Sequence, residues 1–378
     1  MARGALGRYP ATRRLAGCFL TAFLALAGCG GSEVPSGPQP PPPPTPPPPP
    51  PVPIVLFDSP IEGIPGGSHW YGAYLDHSGR DYACGVKYYS GHSGVDILLR
   101  NFQVQDSGVK VVAAARGTVI FARDNQPDRN TVNDNRPVNE VILDHGGGLT
   151  SRYLHLRTNS LVVAQNQVVE KGQPLGLVGS SGNSNWPHLH FEVNDNGLRD
   201  PFTGSCHLPA SMWQNQLPYQ NVFAVVDAGL TLQSTVSFAD LLESPPPAPQ
   251  VPTGMGSALV WYNLANIQSD SVRIAIKAPG GGQVAGVTFG RTSTFSQTFV
   301  AWRFPVAGVL VTPGVHTIEM WQRSPGGAPL LLSDTRTFAL VPGAPAPLPG
   351  AKAPISTLPG IGKVEIWSAG RDQPPVPR

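Results

Sequence analysis

Charge of either sign is scarce in this chain of 378 residues: 26 lysines and arginines stand against 24 aspartates and glutamates. Arg3, Arg8, Arg13 and Arg14 cluster near the N-terminus, so the rest of the chain carries 22 basic and 24 acidic side chains. A balance this even leaves no basic footprint for nucleic acid. Beyond Ala27 no apolar run is long enough to span a bilayer as a helix. No long segment keeps the i, i+3, i+4 apolar spacing of an amphipathic helix, which argues against a helical bundle. No internal repeat marks a solenoid. Cysteine is limited to Cys18, Cys29, Cys84 and Cys206.

What is present begins with an address. The four arginines precede an apolar run from about Cys18 to Ala27, too short to cross a membrane, as in a secretory signal peptide over residues 1–28. The run ends in "LAGC", Leu26–Cys29, which resembles a bacterial lipobox and makes Cys29 the expected site of lipidation. Gly30 in place of aspartate after it favours the periplasmic side of the outer membrane in a Gram-negative cell. Residues 29–53 are a proline tract that cannot pack a core. As polyproline II at about 3.1 Å per residue it would hold a folded body on the order of 70 Å from the anchor. The expected product is an exported, membrane-anchored lipoprotein. In that oxidising setting the remaining cysteines, Cys84 and Cys206, are expected to form a disulfide, with thiolate metal ligation as the rival reading.

Two folded regions are expected. Residues 54–215 read as short alternating runs separated by glycine turns, such as "VKVVAAARGTVIFA" and "NEVILDHGGGLTSRYLHL", hence a mostly β domain. The polar stretch between Asp124 and Asn139 reads as a long hairpin loop. Residues 216–342 hold further strands, among them "SALVWYNL", "SVRIAIKA" and "TFVAWRFP", spaced as in an immunoglobulin-like β-sandwich. Residues 343–378 are rich in proline and glycine and read as a disordered tail.

The chemistry concentrates in "WPHLHFEV", residues 186–193. Strand alternation puts His188, His190 and Glu192 on one face and Leu189, Phe191 and Val193 on the other. By itself such a pair of histidines fits a solvated strand edge as well as a metal site. Upstream, "GHSGVD" carries His92 and Asp96 in another extended segment, with Gly94 between them leaving room for a close approach. His92, Asp96 and His190 together offer three nitrogen or oxygen ligands, and three protein ligands with one open position is the pattern of a catalytic zinc. His188, and His155 in "SRYLHLR", are left to handle protons near neutral pH.

"HSGVD", "YLHL" and "GSSGNSNWPHLHFEV" resemble the three signature segments of the lysostaphin-type (LytM-like) zinc metallopeptidases, in the same order. The resemblance covers about residues 60–205. It implies one Zn2+ held by His92, Asp96 and His190, with His188 as general base and His155 as a second catalytic histidine that steadies the oxyanion. It also implies hydrolysis of peptide bonds in the stems or cross-links of cell-wall peptidoglycan. The alternative is a catalytically silent relative that binds wall or activates other hydrolases. One departure stands out: family members usually carry a small residue before the Pro-His pair, where this chain has Trp186. Trp186 would either narrow the substrate groove or pack its loop as a wall residue; Trp70 and Tyr71, in "HWYGAYLDH", are candidates for the same groove, with a place in the core as the other reading.

Overall fold

This computed structural model describes residues 55–343 and 364–369, except 66, 131–133, 222, 244–246, 268–270, 291–294 and 324–329. The signal segment, Cys29 and the proline tract lie outside the described residues.

Strands dominate, as alternation predicts. The first region contributes β1 (His69–Ala73), β2 (Val95–Leu99), β3 (Lys110–Val112), β4 (Gly117–Arg123), β5 (Glu140–Asp144), β6 (Leu149–Leu154), β7 (Val168–Val169), β8 (Pro174–Leu177), β9 (His188–Asp195) and β10 (Leu198–Arg199). Among its described residues the one helix is the short α1 (Phe102–Asp106), capped by the Asn101 side chain on the Val104 N–H. All but β3 and β8 form one sheet in the order β1-β2-β9-β6-β5-β4-β7, with β10 paired to β9. The polar stretch from Asp124 to Asn139 joins the antiparallel pair β4 and β5, the expected hairpin loop.

Period-two alternation divides this sheet into two faces. Val95, Ile97 and Leu99 of β2, with Leu189, Phe191 and Val193 of β9, point into one apolar core that also takes Tyr71, Tyr74 and Tyr153. The opposite face carries Asp96, His188, His190 and Glu192. Register is fixed by the β2–β9 ladder, which sets Asp96 opposite His190 and Leu98 opposite His188.

The second region contributes β11 (Ala224–Thr231), α2 (Phe238–Leu242), β12 (Gln250–Pro252), β13 (Ser257–Ile267), β14 (Ser271–Lys277), β15 (Gln283–Gly290), β16 (Phe295–Pro305), β17 (Gly314–Arg323), β18 (Leu330–Val341) and β19 (Val364–Ala369). They form a four-stranded sheet, β11-β13-β16-β19, and a five-stranded sheet, β12-β18-β17-β14-β15. Val260, Tyr262, Leu264, Val300 and Trp302 from the first sheet share a core with Val272, Ile274, Ile276, Ile318 and Met320 from the second. β19 corrects the expectation of a disordered tail. "VEIWSA" has enough β-branched and aromatic character to add an antiparallel strand to β16.

The outer face of the four-stranded sheet is apolar too. Leu259, Trp261, Ala265, Phe299 and Ala301, with Leu241 and Leu242 of α2, pack against Trp70, Leu98, Phe102 and Trp186 of the first region. Asn263 donates to the Arg100 carbonyl at 3.1 Å, and Arg129, which also pairs with Asp106 of its own region, reaches Glu243 across the same junction.

Cys84 and Cys206 are bonded, with Cα atoms 5.1 Å apart and a sequence separation of 122. The bridge ties the segment before β2 to the segment after β10, so it brackets the strands that carry the histidines. For a loop this long the chain-entropy argument gives about 4–5 kcal/mol. Thiol labelling of the denatured, unreduced protein should find neither cysteine. Cys84→Ser with Cys206→Ser should lower the unfolding free energy by about 2–5 kcal/mol in a denaturant titration.

Candidate metal centre

His92, Asp96 and His190 are all buried and offer one ligand atom each within 4.8 Å of the others. His92 Nε2 lies 3.2 Å from His190 Nδ1 and 3.1 Å from Asp96 Oδ1, and His190 Nδ1 lies 2.7 Å from the same carboxylate oxygen. The outward nitrogens are committed elsewhere. His92 Nδ1 donates to the Tyr74 carbonyl at 2.7 Å, which directs the Nε2 lone pair inward. His190 Nε2 donates to Glu192 Oε1 at 3.1 Å, which turns Nδ1 inward toward Asp96 and His92. Three atoms of acceptor character therefore converge at short range, an arrangement that fits a cation between them. The imidazole and carboxylate donor set suits zinc.

The same crowding sets the proton affinities. Burial would raise the Asp96 carboxyl, but His92, His188 and His190 hold it well below the usual carboxylate range. Burial opposes charge on His190 as well, yet its hydrogen bonds to Asp96 and Glu192 carry it up to about 9. Burial would also raise Glu192, and the bond from His190, with Ser93 and Arg152 beside it, brings it down to about 2.

His188 and His155 stand beside this cluster, their rings 4.4 Å apart between centroids. Nδ1 of His188 donates to the Trp186 carbonyl at 2.7 Å, leaving the Nε2 lone pair 3.6 Å from Asp96 Oδ1. Burial lowers its proton affinity, so the ring is neutral and ready to accept. Nδ1 of His155 donates to the Ser181 carbonyl at 2.7 Å. Burial, with His188 and His190 nearby, pushes it well below the ordinary histidine range. His155 is held at a φ of 61°, a left-handed conformation uncommon outside glycine, where β6 ends.

Gly94 has a role the spacing only half conveyed. A Cβ there would sit 2.5 Å from the Phe191 carbonyl oxygen and 2.8 Å from His190 Nε2. The close approach is made by β9 itself, and any side chain would push the ligand strand away.

All five histidines and carboxylates named from the sequence meet in one place. The groove reading of the aromatics fails: Trp186, Trp70 and Tyr71 line no groove and are buried. Tyr71 faces the main core beside Ile97, while Trp70 and Trp186 face the four-stranded sheet of the second region. Tyr89 was missed. Its ring stacks on His92 with centroids 4.2 Å apart, and its hydroxyl donates to Asp96 Oδ2 at 3.3 Å. Its position three residues before His92 in "YYSGH" was the available clue.

Residues 90–201 match the family described as Peptidase family M23, and all five site residues fall within the match. Peptidoglycan DD-endopeptidase ShyA of Vibrio cholerae is 32% identical over 102 residues, 27% of this chain and 20% of ShyA. An uncharacterized metalloprotease of Haemophilus influenzae is 37% identical over 106 residues, 28% of this chain and 19% of its own length. The matched segment thus spans about a fifth of either relative. The catalytic domain of lysostaphin from Staphylococcus simulans is 25% identical, covering 35% of this chain and 84% of that chain, with a TM-score of 0.23, too low to bear on the argument. Family match, motif order and converging ligands all fall within residues 90–201, the segment that is similar to peptidase family M23.

Proposed function

We propose that the protein is a zinc metalloendopeptidase that hydrolyses peptide bonds in peptidoglycan stems or cross-links. One observation carries the reading. The inward-facing ligand atoms of His92, Asp96 and His190 converge beside two histidines, His155 and His188, whose Nε2 atoms are uncommitted to the backbone. The named peptidoglycan endopeptidase relatives support the substrate class.

His92 Nε2, Asp96 Oδ1 and His190 Nδ1 would hold the ion, which when bound supplies Lewis acidity and makes a water acidic enough to attack near neutral pH. The chain's own part is proton management. His188 Nε2 takes a proton from the water attacking the scissile carbonyl carbon. It then returns that proton to the amine nitrogen as the C–N bond breaks. Because His155 Nδ1 is spent on Ser181, His155 Nε2 first accepts a hydrogen bond from that water. It can donate toward an oxyanion only after gaining a proton itself. Trp186 and Ser181 carbonyls hold both rings in the required tautomer.

Cys29 as lipid anchor and residues 29–53 as tether complete the proposal for location, an exported lipoprotein facing the wall. All five site residues are present, which supports an active enzyme over a silent wall-binding relative.

Metal content and turnover should separate the roles. His190→Ala and Asp96→Ala should lose both bound zinc, measured by elemental analysis after dialysis, and activity. His188→Ala should keep near-stoichiometric zinc yet lose about 10²–10⁴-fold in turnover. The opposite pattern would reverse the assignment. Deleting residues 35–53 should leave cleavage of soluble wall fragments unchanged and weaken wall cleavage in cells, and an equally extended unrelated linker should restore it. Unimpaired cleavage in cells would remove the tether from the account.

A further inference from the structure

Trp186, the bulky residue just before the Pro187-His188 pair, sits where the two regions meet. Its indole is almost fully buried and stacks on Phe299 of β16, with centroids 5.1 Å apart and planes 19° apart. Phe238 of α2 closes a second side at 5.6 Å, and Trp261 of β13 backs Phe299 at 5.9 Å. The indole N–H donates to the Leu99 carbonyl of β2 at 2.8 Å. The backbone of the same residue does something different. Its carbonyl oxygen accepts from His188 Nδ1 at 2.7 Å and from Ser184 Oγ at 2.7 Å. Pro187, the next residue, accepts at its carbonyl from the Leu99 N–H at 2.9 Å.

We propose that the second region is a working part of the active site: Phe299 and Phe238 clamp the Trp186 indole, and Trp186 in turn fixes the tautomer and direction of the His188 ring. They are positioning residues, acting through His188 without touching substrate. The inference rests on the reading of His188 as proton acceptor.

The physical case lies in how Trp186 is held. A tryptophan backbone on a surface loop has freedom to rotate, and its carbonyl would wander with it. Here a stack on one side and a hydrogen bond to β2 on the other leave the indole no alternative seat. The carbonyl is then set within a narrow range, and with it the acceptor that keeps the proton on His188 Nδ1 and the lone pair on Nε2. Outer partners of this kind orient a working imidazole as strictly as direct contacts do. A misplacement near 1 Å costs on the order of 10²-fold in rate. The peptidase region cut off near residue 215 would expose Trp70, Leu98, Phe102 and Trp186 together, so the loop would lose its seat.

The test uses the full chain. Phe299→Ala and Phe238→Ala should retain stoichiometric zinc, because no ligand touches them. Their kcat on a defined cross-linked muropeptide should fall on the order of 10- to 100-fold with KM little changed. Phe299→Tyr, which keeps the stack, should recover most of the loss. Trp186→Phe, which keeps an aromatic ring but removes the donor to Leu99, should lie between. In parallel, nitrogen-15 NMR of His188 in the metal-free protein should report protonation at Nδ1 in the wild type and a mixture of tautomers in Phe299→Ala. Unchanged kcat and an unchanged His188 spectrum in Phe299→Ala would overturn the proposal. Should that variant fail to fold, the Trp186→Phe spectrum and kcat decide, and wild-type values there would overturn it equally. A wild-type chain that binds no zinc and cleaves nothing would instead refute the enzymatic reading, and the His188 spectra would still test the clamp.

Discussion

The antiparallel ladder between β2 and β9 places Asp96 opposite His190 and so creates the ligand cluster. Because side chains alternate with a period of two, a slip of one residue would turn His188, His190 and Glu192 into the core and expel Leu189, Phe191 and Val193. Fully burying an apolar side chain of this size is worth about 1.5–3 kcal/mol, so three of them hold the register against that slip. Gly94 removes the one obstacle to close pairing where β2 begins. The geometry of the candidate metal centre is thus secured by the hydrophobic face on the other side of the sheet.

Four imidazoles share the site, and each has its outward N–H taken by a different acceptor. Tyr74 takes His92, Ser181 takes His155, Trp186 takes His188 and Glu192 takes His190. Three of the acceptors are backbone carbonyls, which cannot change protonation. The exception is Glu192, itself steadied by Ser93 and Arg152. Fixing the outward nitrogens in this way turns the other nitrogen of every ring toward the space where metal and water are expected. No ring needs to flip during a reaction cycle.

The motif residues were legible because histidines and a carboxylate on strands obey a simple rule of alternation, and because three signature segments occur in order. The disulfide was legible from cysteine arithmetic alone. Tyr89 was not, since a tyrosine three residues from a ligand carries no periodic signal; only the fold brings its ring onto His92. Trp186, Trp70 and Tyr71 misled because aromatics near a histidine motif suit a groove wall and a domain junction equally well. A clue to the junction did exist. "ALVWYNLA" and "TFVAW" run nearly continuously apolar, the mark of strands buried on both faces, whereas "SVRIAIK" alternates as a strand with one solvated face should. Reading β13 and β16 as covered on both sides would have called for a partner surface.

That partner surface and the metal centre occupy the same face of the same sheet. On β2, Asp96 and Leu98 point the same way, the first into the ligand cluster and the second into the junction. Strand geometry separates them by only about 6.5–7 Å. On β9 the corresponding neighbours are His190, opposite Asp96, and His188, opposite Leu98. His188 therefore stands on the boundary, with its Nε2 toward the ligands and its Nδ1 toward Trp186 and the second region. A ligand histidine one pair further along is braced from within its own sheet, by Glu192. His188, the proposed proton acceptor, is braced from across the junction, so its orientation depends on residues that begin fifty positions later in the chain, at Phe238, and continue to Phe299.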